Sequence, residues 1–204
     1  HGAAGFECGA VDYLNLAAIE IGLRHVERVG VQGIHARVMA LTGWLLEMLT
    51  VLTHSNGAPL VHIYGPTVPT ARGGTVAFTL RDPHGEDFDF RRVEVAAAAR
   101  NISLRTGCFC NPGDREIAHQ LGREEMACYF TGATPTSFYE FYDLLHVASG
   151  KTPSTIRISL GLASNFADVY QFVEFLMEFR DRCAEDLPWA PTPSLAAVRE
   201  RDAA

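Results

Sequence analysis

From Ile34 to Leu52 the apolar residues Ile34, Val38, Leu41, Leu45, Met48 and Leu52 recur at steps of four and three. That spacing is the period of a helix that buries one face. An apolar stripe this long needs a surface to lie on, so the chain must either build that surface or borrow it. At 204 residues and 48% hydrophobic, it can form one sizeable core, or one core with a docking arm.

The segments that follow supply a sheet. Ser55-Asn56-Gly57-Ala58-Pro59 has turn chemistry, and Leu60 to Tyr64 then reads as a buried strand stopped by Gly65-Pro66. In Thr75 to Leu80 the larger Val76, Phe78 and Leu80 alternate with smaller residues, the pattern of a half-buried strand. The alanine-rich stretch Phe90 to Arg100 predicts a short helix leading into a strand over Ile102 to Leu104. Strand, strand, helix, strand is the order of an α+β layer with helices on one side.

Flanking segments extend the pattern. Tyr13 to Val29 predicts a helix that is mostly covered, broken by Val29-Gly30-Val31-Gln32-Gly33. Further on, helical pieces are expected at Asp114 to Leu121 and Glu124 to Phe130. Another runs from Phe138 to Ser149, with Thr134-Pro135-Thr136-Ser137 able to cap it. Thr155 to Leu160 alternates so that Ile156, Ile158 and Leu160 share one face and Arg157 and Ser159 the other. Asn165 can cap a last helix with the stripe Val169, Phe172, Val173, Leu176 and Phe179. The prolines 188, 191 and 193 mark a tail.

Charge narrows the function classes. The formal net charge of −7 argues against a nucleic-acid partner, because neutralising phosphates needs clustered lysine and arginine. Neither a run of about 18 apolar residues nor a secretory leader pattern is readable, so no membrane partner is expected and a cytoplasmic setting fits best. Five cysteines, an odd number in a chain of this size, read as reduced thiols. The chain opens at His1 without Met and reads as a piece of something larger. Lys151 is its only lysine, in the turn Gly150-Lys151-Thr152-Pro153, where a Schiff base, which wants a desolvated pocket, is not expected.

Two of the thiols lie one residue apart in Arg105-Thr106-Gly107-Cys108-Phe109-Cys110-Asn111-Pro112-Gly113. A short β-rich run ends at Arg105, Thr106-Gly107 reads as a flexible joint, and Asn-Pro-Gly closes a turn. A helix start at Asp114 and the nearby Arg105 both favour thiolate over thiol, the condition for a nucleophile. Small apolar filling is the other ordinary use of such cysteines. A zinc site of Cys108, Cys110, His119 and Cys128 is the third reading; Cys-x-Cys is less usual than the knuckle spacings zinc prefers, so no metal is expected. Arg157 can grip a carboxylate through its two-pronged donor set or pair with a neighbouring acid, and Arg105 faces the same choice. The eight histidines are dispersed and show no metalloenzyme spacing.

With these residues laid out, the chain resembles the C-terminal part of the class V aminotransferase superfamily of fold-type-I pyridoxal-phosphate enzymes. The likeness is nearest to the cysteine desulfurase and molybdenum cofactor sulfurase-like domain. It is carried by Phe6-Glu7-Cys8-Gly9 with Tyr13-Leu14-Asn15-Leu16, by the Arg105 to Gly113 motif, and by Arg157-Ile158-Ser159-Leu160-Gly161. The resemblance implies an α+β small C-terminal domain at 55–183, mainly antiparallel sheet with helices on one face. A linker and docking helices would precede it at 1–54, and a tail would follow at 184–204. It also implies that Cys110 takes sulfur from cysteine as a persulfide with Cys108 as auxiliary thiol, and that Arg157 and Arg105 bind the small amino-acid substrate. Pyridoxal phosphate is the implied cofactor, with its lysine, histidine and aspartate on an N-terminal large domain, so this chain by itself is expected to be inactive. The complete enzyme is expected to be a homodimer. Where relatives often carry threonine, this chain has Ala10, without the hydroxyl that reaches a cofactor phosphate. Two other readings stay open: another class V activity (lyase, epimerase or transaminase) that does not use the thiol, and a non-catalytic binding or scaffolding half of a split protein.

Overall fold

A computed structural model of the chain describes residue 13, residues 15–107, 119–124, 127, 138–149 and 155–186. Two helices come first, α1 at Leu16–Val29 and α2 at Val31–Val51. The break between them is Gly30 alone, at φ 89°, a backbone conformation that glycine adopts without a Cβ clash. It is narrower than the sequence suggested, and Gln32 and Gly33 are already helical.

No residue of α1 is buried, which corrects the expectation of a mostly covered helix. Leu16, Ile19, Leu23 and Val26 form a stripe at helical spacing, yet Ile19 and Leu23 are about 60% exposed. The Arg24–Glu20 pair, Glu27 and Arg28 line one flank of that stripe. Apolar composition predicted cover, but cover requires a facing element, and the described residues offer α1 only the start of α2.

From Val38 onward α2 turns inward. Leu41, Leu45, Leu46 and Leu49 are buried in a core shared with the sheet. Among the described residues α2 is the one helix long and apolar enough to cross a bilayer by length and composition. Those leucines are committed instead to the protein interior.

The strands are β1 Val61–Tyr64, β2 Thr75–Leu80, β3 Arg105–Gly107 and β4 Thr155–Ser159, in the order β1-β2-β4-β3 with every pairing antiparallel. Strand β3 begins where the sequence reading ended its strand, and Thr106 and Gly107 are paired residues rather than a loose joint. The reason lies upstream. After α3 (Phe90–Ala99), Asn101 takes φ 57° and the Ile102 amide donates to the Ala97 carbonyl, so 100–102 finish the helix and pairing starts only at Arg105.

One face of the sheet carries the core. Val76, Phe78, Leu80, Ile156 and Ile158 pack with Val93 and Ala97 of α3 and with Val169, Phe172, Phe175 and Leu176 of α5 (Phe166–Met177). The helices thus lie on one face of an antiparallel sheet, as an α+β domain requires. Asn165 caps α5 in a full capping box with Asp168, and Asp89 caps α3 by accepting from the Arg91 amide at 2.9 Å. Helix α4 (Phe138–Ser149) joins the core through the fully buried Tyr142, whose ring meets Phe90 edge-on at 4.9 Å. Burial pushes its phenol above the usual tyrosine value.

Two polar clusters fix the end of the sheet near the chain's exit. The buried His54 accepts from the Asp181 amide at Nδ1 (2.9 Å) and donates from Nε2 to the Arg81 carbonyl (2.8 Å). Asp82, also buried, accepts from the amides of His84, Glu86 and Ala184. The expected helices at 114–121 and 124–130, the caps at 134–137 and Gly150, and the tail from 187 lie wholly or mostly outside the described residues.

Candidate anion-binding face

Alternation along β4 decides which residues are available for chemistry. Ile156 and Ile158 are buried on the helical side, so Arg157 projects from the other face, as the sequence predicted. Register then builds a row across all four strands. Tyr64 of β1 stands opposite Ala77 of β2, Ala77 opposite Arg157 of β4, and Arg157 opposite Arg105 of β3.

Two cations thus stand directly across a strand pair. Like charges so placed cost about 0.2–1 kcal/mol, and an anion bound between them reverses the sign of that interaction. Arg157 is half-buried with its Nε sheltered from solvent, whereas Arg105 is exposed. The pair therefore offers one positioned fork and one mobile fork, a combination suited to a carboxylate. Thr106 points to the helical side and its hydroxyl donates to Glu94 Oε2 of α3 at 2.7 Å. That bond ties the short edge strand to the helix layer beside Arg105.

A second row runs alongside the first. His62 stands opposite Thr79, and its ring meets Tyr64 edge-on at 4.8 Å. His119 packs on the same Tyr64 ring at 5.3 Å. Burial, with help from Arg81, lowers the His62 pKa, and burial raises that of Tyr64. This face is therefore a neutral aromatic flank beside a cationic edge.

The thiols Cys108 and Cys110 lie outside the described residues, as do Cys8, Ala10, Cys128 and Lys151. Of the zinc candidates only His119 is described, and it packs on Tyr64. Among the described residues no group of three or more His, Cys, Asp or Glu is arranged to hold a metal. A groove of about 680 Å³ runs along α5 beside Arg100 and Ile102 and shares no residue with the arginine face.

No family model matches the chain. Molybdenum cofactor sulfurases do: that of Solanum lycopersicum is 31% identical over 171 residues, covering 84% of this chain and 20% of the relative. The Drosophila mojavensis protein of that name is 33% identical over 84% of this chain and 22% of its own length, and the Homo sapiens one 29% identical over 91% and 21%. The fold matches an apo cysteine desulfurase from Thermococcus onnurineus with a TM-score of 0.52 at 19% identity, over 85% of this chain and 32% of the other.

The chain is a class V sulfurase-like domain. It spans about a fifth of the length of the sulfurases it matches. Within this sulfurase-like domain the α+β architecture and the sheet with helices on one side are those of the desulfurase fold. Its family implies pyridoxal phosphate, and the described residues bear on that group through their donor chemistry. They include no lysine to take the cofactor's aldehyde. Sequence reasoning found both arginines of this domain but missed Tyr64, His62, Thr79 and Ala77. The outward positions of β1 were readable from its alternation; the register that lines Tyr64 up with Arg157 was not.

Proposed function

We propose that this domain is the substrate-gripping and sulfur-accepting part of a pyridoxal-phosphate-dependent cysteine desulfurase or sulfurase, working against a complementary large domain. The observation that carries the reading is the in-register pair Arg105 and Arg157, on the sheet face turned away from the core, at the base of the Cys108 to Cys110 segment. The exposed α1 stripe supports the complementary domain, since an unpaired apolar helix face calls for a covering surface.

Arg157 holds the carboxylate of cysteine in a bidentate grip, and Arg105 adds charge from the adjacent strand. Bound pyridoxal phosphate supplies the electron sink that weakens the carbon–sulfur bond. The Cys110 thiolate attacks the substrate sulfur. A sulfur–sulfur bond forms as the carbon–sulfur bond breaks with its electron pair left on carbon; a proton added there gives alanine, and Cys110 keeps the persulfide. Cys110 follows Gly107 by three residues, a tether of at most about 11 Å that lets the thiol reach over the arginine row.

The test is mass spectrometry of the Cys110 peptide after the domain, its complementary large domain and L-cysteine are incubated together. A mass increase of one sulfur on Cys110 and loss of alanine formation in Cys110→Ser are expected. Undiminished sulfur release by Cys110→Ala refutes the reading and favours a class V activity that does not use the thiol.

A further inference from the structure

We infer that the groove along α5 is a docking site for a proline-rich segment in the polyproline II form, and that its occupant in this protein is the chain's own Leu187 to Pro193. The groove lies apart from the arginine face, so neither reading depends on the other.

One end of the groove is aromatic. Phe166 and Tyr170, one turn apart on α5, both line it, with ring centres 6.3 Å from one another. Trp44 of α2 packs on both, edge-on to Phe166 at 4.7 Å and stacked on Tyr170 at 6.4 Å. Even so, Phe166 stays 53% exposed and Tyr170 48%. Rings braced on one side and open on the other offer apolar surface with little conformational entropy left to lose. Ala167 and Ile102 extend the apolar lining. At the other end Arg100 is already paired with Glu178 at 2.7 Å, so the groove's cation is not offered to an anionic ligand.

Aromatic-lined grooves take proline-rich segments because polyproline II is preformed and exposes its rings along its length. The sequence Leu187-Pro188-Trp189-Ala190-Pro191-Thr192-Pro193 has three prolines and no charged residue to strip of water. It also begins in the right place. Just past α5 the Phe179 ring meets Phe88 edge-on at 5.3 Å, and Asp181 turns the chain at φ 59°. The Ala184 amide then donates to the Asp82 carboxylate at 3.2 Å, and the Cys183 amide to that of Asp186 at 2.9 Å. The chain is therefore anchored, as far as Asp186, at the Glu178 end of the groove.

Length decides how far it reaches. From Glu178 back to Phe166 the groove runs roughly 18 Å, at 1.5 Å per helical residue. Seven residues of polyproline II from Asp186 to Pro193 cover about 22 Å at 3.1 Å each. Running back along α5, the segment spans the groove and brings Pro191 and Pro193 to the rings of Tyr170 and Phe166.

The experiment titrates a fluorescein-labelled peptide of the sequence Leu187 to Pro193 with the full chain, read by fluorescence anisotropy. A short tether holds a segment at an effective concentration near 1 mM, so an own segment with a Kd of about 0.1 mM weakens binding of the added peptide about tenfold. The full chain carrying Pro188→Ala, Pro191→Ala and Pro193→Ala is expected to bind the peptide about tenfold more tightly than wild type, and a chain ending at Asp186 to match it. Adding Tyr170→Ala to the triple proline variant is expected to remove the binding, whereas Leu23→Ala on the α1 stripe leaves it unchanged. Equal binding by wild type and the proline variant overturns the inference and leaves the groove open to a proline-rich partner in trans. No binding by either freed chain overturns it for both occupants. Binding that survives Tyr170→Ala lies elsewhere and overturns it too. The proline arm decides even where Tyr170→Ala lowers the melting temperature, because its three substitutions lie outside every described element.

Discussion

Gly74 is where α2, β2 and β4 meet, and replacing it with alanine tests that junction. A Cβ built there lies 2.5 Å from Val38 Cγ1 and 2.6 Å from the Leu160 carbonyl oxygen. The valine can turn away, since it sits at the margin of the core. The carbonyl cannot: the Leu160 amide donates to the Gly74 carbonyl at 2.8 Å and holds that backbone against the end of β2. Restoring ordinary contact needs a shift of roughly 0.8 Å, enough to strain or break that bond. Overpacking of about 1–3 kcal/mol plus about 1 kcal/mol for the bond gives about 2–4 kcal/mol of destabilisation. For a chain of this size that lowers Tm by about 10 °C. Gly43 is the control, because it lies inside α2 and its nearest new contact is Pro69 Cγ at 3.8 Å. Gly43→Ala should therefore gain about 0.5–1 kcal/mol from helix propensity. Thermal melts of both variants by circular dichroism should move in opposite directions. A Gly74→Ala melt that coincides with wild type refutes the close-approach argument.

Asp82 gives the chain an acid-sensitive component. Burial by itself would raise its carboxyl, but the amides of Ala184, Glu86 and His84, together with the His84 charge, hold it below the usual carboxylate value. A depressed folded value means the stabilisation is present at neutral pH, above the unfolded pKa, and disappears as pH falls through the folded one. Asp82→Asn should then cost about 2 kcal/mol in urea unfolding at pH 7, and the cost should shrink as pH is lowered below the ordinary carboxylate value; a difference independent of pH would count against the assignment. Arg91 links α3 to α4 through Asp89 at 2.9 Å and Asp143 at 3.2 Å, with its guanidinium 5.4 Å from the Tyr142 ring centre. Arg91→Met leaves the buried Asp89 carboxylate without its guanidinium and breaks the tie to Asp143, and should destabilise by roughly 3 kcal/mol, read as a lower urea midpoint; an unchanged midpoint would show that the ion pairs do not anchor α4.

The alternation of Ile156, Arg157 and Ile158 determined from sequence which face of β4 is apolar, because a strand's side chains have a period of two whatever it pairs with. The stripe on α5 and the Asn165 cap were legible for a similar reason, since helix periodicity and capping are local. Phe175 escaped that stripe although it is buried: it lies beside Phe172 and meets the Phe179 ring edge-on at 5.3 Å, so α5 buries a wider arc than one row. The bounds of β3 were misplaced, since the Asn101 turn and the pairing to Arg157 depend on a strand fifty residues away. Covering α1 is likewise a property of a facing surface, which its own residues cannot encode.

The sequence by itself determined the elements, the apolar face of each, and the two arginines with their motif. Only the tertiary structure decided that these arginines stand side by side and that Tyr64 and Ala77 share their row across the sheet. Side-chain direction is local to a strand, whereas register is a long-range choice made by how the whole core packs.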